Sequence, residues 1–158
     1  MGEAIIIYTD GAARGNPGPG GYGVVMRYKN HEKTLAEGYQ KTTNNRMELL
    51  AVIVALEQLK TRDIPVEIYT DSKYVADAVE QKWIDNWERK QFKKVKNPDL
   101  WRRFLVIYKK FTNVKFHWVK GHANNELNNR ADELAVAASK LPNLKPDNGY
   151  QNPNEHLF

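Results

Sequence analysis

Cysteine is absent from this chain, which removes disulfides, thiolate nucleophiles and Cys-ligated zinc together and is compatible with a reducing compartment. Long apolar runs are missing as well. No stretch approaches the ~20 residues that a membrane span needs, and the start Met1-Gly2-Glu3-Ala4-Ile5 has no basic lead-in of the kind that opens a secretory signal. We therefore expect a cytoplasmic monomer with no membrane partner. Acidic residues are scarce in one region. Between Lys82 and Lys110 stand ten basic residues and three acidic ones, a net of +7, whereas the whole chain carries +5, so everything outside that stretch sums to −2. A concentrated positive stretch of this kind is the expected footprint of a polyanion-binding surface.

What remains fits one globular domain, since 158 residues at 41% hydrophobic content can bury a sizeable core but leave no room for a second catalytic unit. Residues 4–9 are continuously apolar, as in a strand covered on both faces. Residues 22–28 and 33–40 alternate more, and the polar link Lys29-Asn30-His31-Glu32 joins them as a hairpin. A glycine-rich link over 11–21 connects the first two strands. Residues 47–59 are apolar almost all round, which predicts a buried helix. A fourth strand over 66–70 and a fifth over 114–119 are separated by helices over 72–79, 82–89 and about 97–111. The last of these begins at Asn97-Pro98-Asp99, where N-cap, proline and acid fall in order. A final helix spans 129–140. From residue 142 the chain is rich in Pro, Asn and Gly, so 142–158 reads as a mobile C-terminal tail. Three antiparallel strands followed by strands alternating with helices give an α/β chain with a mixed sheet, and Asp10 and Asp71 then end at the same sheet edge.

Those two acids belong to a repeated pattern. Asp10 closes Ile5-Ile6-Ile7-Tyr8-Thr9, and Asp71 closes Val66-Glu67-Ile68-Tyr69-Thr70. Glu48 and Asp132 each follow an Asn-Asn-Arg tripeptide by two residues and open an alanine- and leucine-rich helical segment. Taken singly, a strand-end Asp is equally well explained as a cap or turn former, and Glu48 or Asp132 as an acid complementing a helix dipole. The paired settings lie 61 and 84 residues apart, so no tandem duplication produced them, and their recurrence favours function. Converging, they would form an oxygen-rich site for divalent cations.

Five segments carry a resemblance: Tyr8-Thr9-Asp10-Gly11, Thr43-Asn44-Asn45-Arg46-Met47-Glu48-Leu49, Tyr69-Thr70-Asp71-Ser72-Lys73-Tyr74-Val75, Trp118-Val119-Lys120-Gly121-His122 and Asn129-Arg130-Ala131-Asp132-Glu133-Leu134-Ala135. In order and spacing they resemble the motifs of bacterial ribonuclease H of type 1. The resemblance implies a ribonuclease H-like fold, a five-stranded mixed sheet flanked by helices, with the catalytic domain over 1–141. It also implies an endonuclease that cleaves RNA paired with DNA, leaving 3′-hydroxyl and 5′-phosphate ends, with Asp10, Glu48, Asp71 and Asp132 holding two magnesium ions. Manganese could substitute, because carboxylates suit both. By the same resemblance His122 moves protons near the attacking water or the product, a task suited to an imidazole. Read without it, a single loop histidine is an ordinary solvated side chain.

For the nucleic acid, the resemblance implies that Asn16, Asn44, Asn45 and Lys73 lie near the scissile strand and that Thr43 and Asn97 grip a DNA phosphate. Trp83, Trp87, Lys90, Lys93 and Lys94 would form a protruding basic handle on the DNA. The loop between Trp87 and Trp101 is shorter than in well-known members. Without the resemblance, Trp83 and Trp87 are the core face of an amphipathic helix, Asn16 is a turn residue before Pro17 and Asn97 is a helix cap. Trp101, beside Leu100 and Phe104, reads as core in either case. Two alternatives stay open: another nuclease of the same architecture, or a non-catalytic hybrid-binding module. The second would gain nothing from four acids beside a phosphate backbone.

Overall fold

A computed structural model describes residues 3–120 and 125–151. Its strands are β1 (Ile5–Ala13), β2 (Gly18–Tyr28), β3 (His31–Thr42), β4 (Val66–Thr70) and β5 (Val114–Trp118). The helices are α1 (Asn44–Gln58), α2 (Lys73–Glu80), α3 (Trp83–Arg89), α4 (Pro98–Tyr108), α5 (Glu126–Ser139) and α6 (Asn148–Gln151). One five-stranded sheet runs β3-β2-β1-β4-β5. β1 pairs antiparallel with β2 and β2 with β3, whereas β1–β4 and β4–β5 are parallel. The expected mixed sheet is therefore present, with the hairpin ladders first and the helical crossovers after them.

Burial divides the sheet into two faces. Ile5 and Ile7 of β1, Val24 of β2 and Ile68 of β4 join the main core with α1 and α4, where Trp101 and Phe104 are fully buried. The alternate residues Tyr8 and Val25 face Ala131 of α5. α1 is buried along nearly its whole length, from Arg46 to Leu56, as its all-round apolar composition predicts.

Several boundaries differ from the sequence expectation. β1 continues through Asp10 to Ala13, and β2 begins at Gly18, because Gly20, Gly21 and Gly23 complete backbone ladders on both sides. Asp10 thus sits within a strand rather than at its end, and the expected link over 11–21 contracts to residues 14–17. α1 starts three residues early, where the Thr43 hydroxyl accepts from the Arg46 N–H, and α5 starts at Glu126, where the Asn125 side chain accepts from the Asn128 N–H. Glu48 and Asp132 are consequently beyond the first helical turn, where a dipole-complementing role fades. α4 is capped by position at Asn97, but that side chain makes no capping bond and its backbone is left-handed at φ 58°.

Part of the expected C-terminal tail, residues 144–151, packs against the body of the fold. Lys145 pairs through its backbone with Gly38 and Gln40 beside β3, and Asp147 is buried against Arg46. Asn/Pro-rich composition concealed this, because the fastening is by backbone pairing and one ion pair rather than by an apolar period. The remainder of the predicted tail, 152–158, lies outside the described residues.

Candidate active site

Parallel pairing of β1 with β4 sets Thr9 opposite Thr70, so the next residues on each strand, Asp10 and Asp71, emerge side by side. Glu48 reaches the same point from α1. One carboxylate oxygen from each of Asp10, Glu48 and Asp71 lies within 4.8 Å of the others. The approach depends on Gly11: a β-carbon there would stand 2.3 Å from the Glu48 nitrogen and 2.4 Å from the Met47 carbonyl carbon, so only glycine lets β1 and α1 come this close. The Gly11 N–H donates both to Asp10 Oδ1 at 2.9 Å and to Glu48 Oε1 at 2.7 Å. The second Glu48 oxygen accepts from the Thr70 hydroxyl at 3.5 Å.

Asp132 lines the same cleft of ≈ 390 Å³ from α5, with Asn44, Asn45, Lys73 and Tyr74 on its walls. Crowding of like charges in a partly dehydrated place opposes ionisation. Burial foremost, then Asp71 and Asp132, push the Asp10 carboxyl from 3.8 up to about 7, despite hydrogen bonding to Glu48. Burial and the nearness of Asp10 likewise hold Glu48 well above the ordinary carboxylate range. Hard oxygen donors with no nitrogen or sulfur among them, and a charge that needs compensation, suit magnesium or manganese.

The remaining predicted residues spread outward from this centre. Asn44 accepts through Oδ1 from the Ala13 N–H at 2.7 Å, and its own N–H donates to Asn16 Oδ1 at 3.1 Å, which joins the start of α1 to the loop after β1. Thr43 caps α1. Lys73 places its ammonium 4.7 Å from the centroid of the Trp118 ring. Asn97 donates through Nδ2 to the Tyr74 hydroxyl at 3.0 Å. Trp83 is exposed, Trp87 packs edge-on against Trp101 at 5.3 Å, and Lys90, Lys93 and Lys94 face solvent along a turn that is left-handed at Gln91, Phe92 and Lys94. For Trp87 the core and surface readings both apply, since it is half-buried. His122 lies outside the described residues.

Two residues had roles that escaped the sequence reading. The Trp118 Nε1–H donates to the Asp71 carbonyl at 3.0 Å and steadies the end of β4. Arg46, whose side chain is 3% exposed, forms ion pairs at 2.7 Å with both Asp99 and Asp147. Burial alone would make this guanidinium easier to deprotonate, but the two carboxylates more than offset that and keep it charged. Arg46 was visible as the arginine of the first Asn-Asn-Arg tripeptide, yet a partner 101 residues away leaves no local signal.

The fold and the acid cluster define an α/β protein with a carboxylate-lined cleft suited to a divalent cation, beside a basic, aromatic-bearing surface. The RNase H family profile matches residues 2–140. A ribonuclease H of Desulforamulus reducens is 56% identical over 150 residues, covering 92% of this chain and 93% of the relative. Among solved structures, LC9-RNase H1, a type 1 RNase H with the type 2 active-site motif, superposes with a TM-score of 0.77 at 29% identity, over 88% of this chain and 73% of that one. LC11-RNase H1, solved in complex with an RNA/DNA hybrid, gives a TM-score of 0.63 at 36% identity, over 85% of this chain and 95% of that one. This chain belongs to the RNase H family, in its bacterial type 1 branch, and is an enzyme of that family.

Proposed function

We propose that this protein is a monomeric, cytoplasmic endoribonuclease that cuts the RNA strand of RNA–DNA hybrids and leaves 3′-hydroxyl and 5′-phosphate ends. Ribonuclease action on hybrids follows from membership of the family. The observation that carries the finer reading is the convergence of Asp10, Glu48 and Asp71 within 4.8 Å in a cleft that Asp132 completes. No helix among the described residues is long and apolar enough to cross a membrane.

Asp10, Glu48, Asp71 and Asp132 would hold two divalent cations, magnesium or in its place manganese. Bound there, the pair supplies Lewis acidity that makes water nucleophilic and stabilises the departing 3′ oxygen. The protein's own part is to fix the donors. Asp10 is held by the rigid ladder of β1, Glu48 by the Gly11 amide and Thr70, and Asp71 by the Trp118 indole on its carbonyl. Such fixing spares the site from reorganising when charge develops on the phosphate. His122 would receive or deliver a proton at the water or the product. Asn44, Asn45 and Lys73 border the cleft, and with Asn16, which is bonded to Asn44, they would address the RNA strand, whose 2′-hydroxyls distinguish it from DNA. Thr43 and Asn97 would hold a phosphate of the DNA strand, and Trp83, Trp87, Lys90, Lys93 and Lys94 would position that strand through contacts that carry no sequence information.

The test uses matched RNA·DNA, RNA·RNA and DNA·DNA duplexes with each strand labelled in turn, with and without magnesium. Cation-dependent cleavage confined to the RNA of the hybrid is expected. Cleavage of DNA would indicate another nuclease of this architecture, and binding without cleavage would indicate a hybrid-binding module.

A further inference from the structure

Arg46 is the most heavily bonded buried side chain described outside the acid cluster. Its Nε and Nη2 donate to the two oxygens of Asp147 at 2.7 and 2.9 Å, and its Nη1 and Nη2 donate to the two oxygens of Asp99 at 3.0 and 2.7 Å. Nη1 also reaches Asn97 Oδ1 at 3.2 Å. Asp147 accepts in addition from the Thr42 hydroxyl at 2.6 Å. Gly149 lies flat over this junction, where a β-carbon would stand 1.9 Å from Asp99 Oδ2 and 2.6 Å from Arg46 Nη2. Residues 144–151 thus form a strap, anchored on β3 through Lys145 and closed over the guanidinium by Asp147 and Gly149. A bidentate pair of this kind fixes direction as well as distance.

Two separate supports for the cleft follow. The acids are held from the sheet side, through the Gly11 amide, the Thr70 hydroxyl and the Trp118 indole. The opposite wall hangs from Arg46. Its contact with Asn97 continues to the Tyr74 hydroxyl, which lines the cleft and also accepts from Trp101 Nε1–H at 2.8 Å, and Trp101 in turn seats Trp87. One buried cation therefore ties together the start of α1, the start of α4, the cleft residue Tyr74 and the root of the basic handle.

We propose that the 144–151 strap, through Asp147 and Gly149 acting on Arg46, is a positioning element that sets the substrate-binding wall of the cleft and so controls affinity for the hybrid more than the chemical step. This rests on the hybrid-cleaving function proposed above. Asp147 and Gly149 touch no substrate in this account; they act through Arg46 on Asn97 and Tyr74. The chemistry they serve is recognition of a duplex that needs a wall at fixed distance from the acids. A misplaced wall weakens binding while leaving the carboxylates, and the cations they hold, where they were.

The test compares Asp147→Ala, Asp147→Asn and Gly149→Ala with wild type and with Ile53→Val, a core truncation fully buried in α1 that lowers stability without touching the network. Each is assayed well below its own unfolding temperature for KM and kcat on a hybrid and, separately, for magnesium binding. The strap variants are expected to raise KM about tenfold with kcat within about twofold, magnesium affinity unchanged, and Asp147→Asn intermediate because it retains an acceptor. Ile53→Val should leave KM unchanged. An unaltered KM in folded Asp147→Asn or Gly149→Ala, or an equal rise in Ile53→Val, overturns the proposal. Failure of the hybrid-cleaving function itself would show differently, as absence of cleavage by wild type.

Discussion

Asp10 and Glu48 accept hydrogen bonds from one and the same donor, the backbone N–H of Gly11. Two carboxylates converging on a single amide cannot both be comfortably ionised, so in the cation-free protein the native pair retains protons that an unfolded chain has already released. The Asp10 carboxyl, raised by burial and by Asp71 from 3.8 to about 7, sets the window. Its contribution to stability is therefore greatest at the acid end and falls as pH rises from about 4 through about 7. Asp10→Asn removes that fall. In chelator at pH 8 it should be more stable than wild type by about 1 to 2 kcal/mol, the gap closing towards pH 4, while cleavage is abolished. Urea unfolding of both forms across this range is the check. A mutant less stable at pH 8, and still active, would make Asp10 a structural acid.

Gly11→Ala tests the close approach of β1 to α1. Its β-carbon would collide with the Glu48 nitrogen and the Met47 carbonyl carbon, backbone atoms that cannot turn aside. The expected cost is about 2 kcal/mol of stability, with kcat reduced at least about tenfold because Glu48 is displaced. Retention of full kcat would show that Glu48 tolerates displacement and is not held in reacting geometry.

Replacing Lys90, Lys93 and Lys94 together with Ala should raise KM and flatten its dependence on salt, since phosphate contacts release counterions on binding. All three are exposed to solvent. Steady-state kinetics at several salt concentrations decide it. A lower kcat at saturating hybrid with the salt slope intact would place these lysines elsewhere than on the substrate.

His122→Ala should lower kcat by roughly ten- to a thousandfold, up to the scale of a lost proton transfer, with cation affinity nearly unchanged. Cation titration beside single-turnover cleavage separates the possibilities. A large loss of affinity would make the imidazole a ligand.

How much of this was legible beforehand depends on how local the cause is. The strands of the sheet, the buried α1 and the alignment of Asp10 with Asp71 follow from apolar period and connection rules, which act over neighbouring residues. The cluster of acids was visible as recurrence of Thr-Asp and Asn-Asn-Arg settings. By contrast, the extension of β1 and β2 through a glycine-rich stretch was hidden, because ladder pairing on both sides outweighs the weak strand preference of Gly20, Gly21 and Gly23. The packing of the strap was hidden too: Asp147 finds Arg46 across 101 residues, and nothing around Asp147 marks it as buried. Trp118 was read as part of a motif, but its bond to the Asp71 carbonyl is a product of the parallel register of β4 and β5.

The central claim is that these carboxylates exist to hold cations. Calorimetric titration of magnesium into chelator-stripped wild type and Asp10→Asn addresses it directly, with no dependence on turnover. Saturable binding by wild type that is lost in Asp10→Asn is predicted. Equal binding by the two forms would contradict the account, because the cations would then be held somewhere other than the cluster built around Asp10.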